Sequence, residues 1–164
     1  MHYDISLASP ADIDGVTALL HTNSPSQGGT LTGEFPRDKV GQMMAGGSPV
    51  IVARRDGRVV GVLFTAARNA ATAAPVLAML AAWPGGPGAY VYGPVCIAGS
   101  ERGRGLLGQL YAALREHNPG SEAVLLIRRD NAASLHAHRK LGMHEVAGFI
   151  LDGVDYAVLS DYAQ

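Results

Sequence analysis

Arg102-Gly103-Arg104-Gly105-Leu106-Leu107-Gly108 stands between an apolar run, Tyr90 to Ile97, and a stretch in which Leu106, Leu107, Leu110, Tyr111 and Leu114 recur at helical spacing. The order is a strand, a glycine-arginine turn and a helix. Glycine lets backbone amides approach a ligand closely, and the exposed amides of a helix start carry partial positive charge. A phosphate or pyrophosphate fits such a turn, with Arg102 and Arg104 as charge-assisted donors; a merely solvated strand-to-helix turn is the alternative. The Gly-Lys-Ser/Thr of a nucleoside-triphosphate loop is absent. A dinucleotide fingerprint would need a parallel strand-helix-strand unit with an acidic residue ending the next strand, and that context is missing too.

Upstream of this turn, Ile5 to Ala8 alternates like a short strand, and Ser9-Pro10-Ala11-Asp12 supplies a helix start. Ile13, Val16, Leu19 and Leu20 share one face, which predicts a helix to about His21. Asn23 to Glu34 reads as loop, and Pro36 opens a second, shorter helix through Met44. Val50 to Arg55 and Arg58 to Thr65 are β-branched runs around Asp56-Gly57, a hairpin signal. Ala70 to Leu80 is expected as a helix, followed by a loop at Trp83-Pro84-Gly85-Gly86-Pro87-Gly88, and the Gly85 to Gly88 run, like Gly28-Gly29, suggests a mobile wall. Pro94 removes a backbone donor from the strand Tyr90 to Ile97, which should be bulged or unpaired there. Downstream come a strand at Ala123 to Ile127, a helix at Asn131 to Leu141, and a hairpin of Val146 to Leu151 with Val154 to Leu159 around Asp152-Gly153. This is a mixed α/β layer pattern, and 164 residues suit one domain over 1–164.

The turn resembles the central signature of the GCN5-related N-acetyltransferase (GNAT) family, Gln/Arg-x-x-Gly-x-Gly/Ala after a bulged fourth strand. Arg102 and Gly105 match its first and fourth positions, while Leu107 stands where Gly or Ala is usual. A second segment, Asn131-Ala132-Ala133-Ser134-Leu135-His136-Ala137-His138-Arg139-Lys140-Leu141-Gly142-Met143, is similar to the family's Asn-x-x-Ala/Ser-x-x-x-Tyr-x-x-Leu-Gly-Phe. His138 replaces the frequent tyrosine and Met143 the phenylalanine. Motif-level similarity covers about Tyr90 to Met143, and the order of elements agrees along the whole chain.

The resemblance implies a single-domain GNAT-type acyltransferase fold: a mixed, mostly antiparallel sheet with splayed fourth and fifth strands and flanking helices. It implies acetyl transfer from acetyl-CoA to an amine of a small molecule or protein by direct attack. Amides from Arg102, Gly103, Arg104, Gly105, Leu106 and Leu107 would hold the CoA pyrophosphate, and the backbone of Val95, Cys96 and Ile97 the pantetheine arm. Asn131 and Ser134 read as further CoA contacts, although Asn131 can equally cap its helix. His138 is the candidate general acid, since imidazole carries a donatable proton near neutral pH; packing as a structural histidine is the alternative. Glu34 is the best carboxylate candidate for a general base, and Tyr92 is another polar group expected at the cleft. A catalytically silent acyl-CoA-binding sensor or interaction module is the competing reading.

Charge and composition exclude several other classes. The net charge is −1, so no global field draws the chain to nucleic acid or an anionic membrane. One cysteine, Cys96, permits no intrachain disulfide and no thiolate metal site, which fits the cytoplasm. A lone strand cysteine reads as a small buried hydrophobe rather than a nucleophile. His136 and His138, two apart on a helix, point to different faces, so no metal is expected. The first residues carry no secretory pattern, and no apolar run is long enough to span a bilayer. A homodimer is compatible with the family. The acceptor amine, acyl-chain preference and oligomeric state are not written in these residues.

Overall fold

A computed structural model describes residues 2–162. In chain order the elements are β1 (Asp4–Leu7), α1 (Ile13–Thr22), α2 (Arg37–Met44), β2 (Val50–Arg55), β3 (Arg58–Ala67), α3 (Ala74–Ala82), β4 (Tyr90–Ile97), α4 (Leu106–His117), β5 (Ala123–Arg128), α5 (Ala132–Lys140), β6 (His144–Leu151) and β7 (Val154–Ser160). The seven strands follow the order β1-β2-β3-β4-β5-β7-β6, with β4 parallel to β5 and the other neighbours antiparallel. By internal contacts the chain divides into two units, the first running through Thr65 and resuming at Gly93–Pro119, the second comprising Ala66–Tyr92 and the chain from Gly120 onward.

In the first unit, β2 is buried on both faces, and its alternation sorts the core. Val50 and Val52, with Val62 and Phe64 of β3, pack with Val16 and Leu20 of α1, Val40 of α2 and Cys96 of β4. On the opposite face α4 lies against β1 and β2. Gly61 lets it approach: a Cβ there would stand 3.2 Å from Leu106 and 3.3 Å from Leu110. Asp12 is buried beside Ser9, accepts the Ser9 amide at 2.8 Å, and pairs with Arg54 at 2.6 Å, tying the start of α1 to β2.

In the second unit, α3 covers a face built from Val91, Val124 and Val158, with Met79 as its buried contact. The helix expected at Ala70 to Leu80 begins instead at Ala74, which puts Pro75 in the first turn. A proline interior to a helix would clash with the preceding turn, whereas at the start its missing N–H is not needed. The glycine/proline loop after it is tied down rather than loose. The Glu122 carboxylate accepts Trp83 Nε1 at 2.8 Å, the Gly86 amide at 2.9 Å and Ser160 Oγ at 2.5 Å, and Arg68 donates to the Pro84 carbonyl at 2.6 Å.

Both hairpins turn through paired positive φ angles, Asp56 at 53° with Gly57 at 78° and Asp152 at 51° with Gly153 at 77°. That geometry matches the twist of the flanking strands. Among the described residues no helix is long and apolar enough to cross a membrane. Leu110 is fully buried under β2 and β3. Leu110→Ala should destabilise the fold by about 2–5 kcal/mol, read as a lower midpoint in urea unfolding with an unchanged slope.

Candidate active site

The glycine-arginine turn lies in the first unit. Gly103 and Gly105 take φ of +76° and +77°, and a Cβ at either would meet nothing within 4 Å. The left-handed backbone demands glycine at these positions, and the space above them is open. Gly105 is the N-cap of α4, and a glycine supplies no side-chain cap. Its first intrahelical bond runs from the Gln109 amide to the Gly105 carbonyl, so the amides of Leu106, Leu107 and Gly108 precede any helical acceptor. An uncapped twelve-residue helix start behind two open glycines suits an anion.

The Arg102 side chain bonds within the protein. Its guanidinium bonds Asn23 Oδ1 at 2.9 Å and the Ile97 carbonyl at 3.4 Å, and its own amide closes a short turn onto Gly99. The side chain therefore braces the turn against the end of α1 and the end of β4. Glu101, which sequence reasoning passed over, is the other brace. It is wholly buried; Tyr3 donates to Oε1 at 2.8 Å, and Ser100 at 2.9 Å and Arg55 at 3.2 Å reach Oε2. The Tyr3 hydrogen bond holds its carboxyl below the ordinary range, burial works against this, and Ser100, Arg55 and Arg104 add to the lowering. A glutamate in Ser-Glu-Arg-Gly reads as a solvated loop charge. Only the distant partners, Tyr3 and Arg55, reveal otherwise.

On β4, Val95 and Ile97 are half-buried and Cys96 is buried in the core. Burial pushes the Cys96 thiol up to about 11, which leaves it protonated and unreactive. Just before them Gly93 has φ +115°, outside strand geometry, and the Gly93–Pro94 peptide is cis. The expected disruption of the strand at Pro94 thus falls on Gly93.

In the second unit, β4 pairs with β5 at Tyr90↔Ala123 and Val91↔Val124, and Tyr92 follows directly. Its hydroxyl lies 3.0 Å from His138 Nε2, with the two rings edge to face at 5.5 Å. His138 Nδ1 stands 2.8 Å from the Ser134 carbonyl. A carbonyl only accepts, so Nδ1 carries the proton, Nε2 is the acceptor, and Tyr92 donates to it. Burial lowers the His138 pKa below its ordinary 6.5, with the Ser134 carbonyl opposing. In the neutral imidazole the proton is therefore on Nδ1 and Nε2 is the acceptor. Asn131 caps α5 by accepting the Ser134 amide at 3.2 Å through Oδ1.

Glu34 lies in the loop of the first unit, exposed, accepting the Ser26 hydroxyl at 2.7 Å and the Ser26 amide at 3.0 Å. Those bonds, the hydroxyl's first, lower its pKa. The same bonds close the loop between Ser26 and Glu34. Among the described residues no cluster of three or more His, Cys, Asp or Glu side chains could hold a metal.

No family model matches the chain, and no curated protein does. Solved structures do. An acetyltransferase of the GNAT family from Streptococcus agalactiae superposes with a TM-score of 0.72 at 19% identity over 99% of this chain and 96% of its own. The chain has the fold of the GNAT acetyltransferases. A putative acetyltransferase from Salmonella typhimurium, yncA, solved with acetyl-CoA, gives 0.68 at 19% identity over 98% of this chain and 93% of its own. The ribosomal-protein-alanine N-acetyltransferase from Brucella melitensis gives 0.69 at 22% over 96% and 98%.

The Glu101 brace has a testable pH signature. A carboxyl whose folded pKa is depressed stabilises the fold above its unfolded value and loses that contribution as pH falls through the folded one. Glu101→Gln should lower the melting temperature at pH 7. The gap to the unsubstituted protein should close as pH falls below the ordinary glutamate value of 4.5, measured by thermal scans across pH.

Proposed function

We propose that this protein is an acetyl-CoA-dependent N-acetyltransferase acting on an amine of a small molecule or a protein. The observation that carries the reading is the uncapped start of α4 behind Gly103 and Gly105, a ready anion site at the position of the motif. A structural neighbour solved with acetyl-CoA supports the choice of ligand. In this reading the amides from Gly103 to Leu107 hold the pyrophosphate, with the Arg102 side chain fixing the loop rather than touching phosphate. The backbone of Val95, Cys96 and Ile97 pairs with the pantetheine amides as an added strand does. Ser134 and the Asn131 amide nitrogen, whose oxygen partner is spent on the helix cap, are further ligand contacts.

The reaction moves one proton overall. The amine nitrogen attacks the thioester carbonyl carbon, the carbon–sulfur bond breaks, and the proton lost from nitrogen ends on sulfur. Backbone donors at the strand stabilise the oxyanion as charge builds on the carbonyl oxygen.

Calorimetry with acetyl-CoA should show one site per chain. Gly105→Ala, which forces a side chain into a left-handed backbone, should weaken that affinity at least about tenfold. Thiol release from acetyl-CoA against a panel of small amines and peptide N-termini should then identify the acceptor. Failure to bind acetyl-CoA overturns the reading; binding without thiol release on any amine points to a silent acyl-CoA sensor.

A further inference from the structure

We propose that Asn23 is a positioning residue that couples the loop after α1 to the glycine-arginine turn, so that acetyl-CoA affinity at the turn depends on how that loop is held. The inference rests on the acetyl-CoA reading above, and every residue it uses lies in the first unit.

The Asn23 carboxamide has a single orientation that satisfies its neighbours. Oδ1 accepts the Arg102 guanidinium at 2.9 Å, and Nδ2 donates to the Leu19 carbonyl at 2.9 Å. A guanidinium only donates and a carbonyl only accepts, so turning the amide over would break both bonds at once. Asn23 is the C-cap of α1, and its side chain thus fixes Arg102 to the last turn of that helix while the Ile97 carbonyl holds Nε from the end of β4.

The Asn23 main chain serves the loop. Its carbonyl accepts the Leu31 amide at 3.2 Å, the Gly29 amide closes onto the Ser24 carbonyl at 2.9 Å, and Ser26 with Glu34 closes the far end. Leu31 and Phe35 pack against the core of the unit. Gly29 lies hard against Asn23: a Cβ there would collide with the Asn23 carbonyl carbon and oxygen and come within 2.6 Å of its Cα. All three are backbone atoms, so a side chain at 29 would displace Asn23 itself.

One residue therefore carries the loop on its main chain and Arg102 on its side chain. Linkage through such a residue acts in both directions. A loosened loop shifts Asn23 and releases Arg102, and the turn from Gly103 to Gly105 loses the anchor at its entry. A ligand that holds the turn in one shape holds Arg102, Asn23 and the Gly29 to Leu31 stretch with it.

The test uses the full chain with acetyl-CoA as the probe, each titration run well below the variant's melting temperature. Asn23→Ala and Gly29→Ala should each weaken acetyl-CoA binding about tenfold by calorimetry, although neither residue belongs to the turn. In an Arg102→Ala background the same two substitutions should cost less than about twofold more, because the link they act through is gone. A residue that only stabilises the fold would lower the melting temperature and leave the affinity unmoved. In the unsubstituted protein, acetyl-CoA should slow hydrogen exchange at the Gly29 and Leu31 amides at least about fivefold, and in Arg102→Ala saturated with acetyl-CoA it should not. That measurement does not depend on the Asn23 or Gly29 variants folding. An Asn23→Ala protein that binds acetyl-CoA as tightly as the unsubstituted one, an equal loss in the Arg102→Ala background, or unchanged exchange at Gly29 and Leu31 overturns the coupling while acetyl-CoA binding stands. An unsubstituted protein that does not bind acetyl-CoA overturns both.

Discussion

A carboxylate without solvent exposure lies one residue before the glycine-arginine turn, and the turn's shape depends on it. Glu101 draws Tyr3 from the edge of β1, Arg55 from the end of β2 and its neighbour Ser100 onto two oxygens. Burying a carboxylate is costly unless hydrogen bonds and an opposite charge replace the lost water. Here they do, and the geometry that satisfies Glu101 fixes where the chain enters Arg102. Arg102 then fixes where it leaves, through Asn23 and Ile97. Glycines at 103 and 105 have the conformational freedom to make a loose loop. Braced on one side by an ion pair and on the other by a guanidinium, they make a defined cradle instead.

The second polar device is built on the opposite principle. Burial, which Glu101 must overcome, lowers the His138 pKa. A brace should not change state across the working pH range, so a carboxyl held low by hydrogen bonds serves.

Most elements were legible in the residues because their signals were local. Val50 to Arg55 and Tyr90 to Ile97 are strands over just those spans, and Asp56-Gly57 and Asp152-Gly153 make the hairpin turns their type requires. The misreadings came where the deciding partner was far along the chain. The loop after α3 reads as mobile from glycine and proline alone, but Glu122 and Ser160, some 36 to 77 residues on, tie it down. Glu101 reads as a surface charge until Tyr3, 98 residues away, is seen to bond it. For His138 the residue pattern gives the position, and the tautomer comes from the Ser134 carbonyl one helical turn away. Sequence spacing located that histidine but did not orient its proton.

A buried anion beside a turn proposed to bind an anion raises an electrostatic difficulty, since like charges a few ångströms apart repel by several kcal/mol in a partly desolvated setting. The local charge count resolves it. Arg55 pairs directly with Glu101, and the Arg104 charge also acts on that carboxylate. Arg102 follows Glu101 in the chain, so Arg55, Arg102 and Arg104 outnumber this one glutamate. The net charge of the whole chain, −1, conceals this. What favours an anion here is a short-range arrangement: guanidinium groups that neutralise the brace, and helix amides left without a cap, which supply the remaining attraction. Removing the carboxylate's charge while keeping its shape therefore acts on stability first, because the amides of the helix start are still in place.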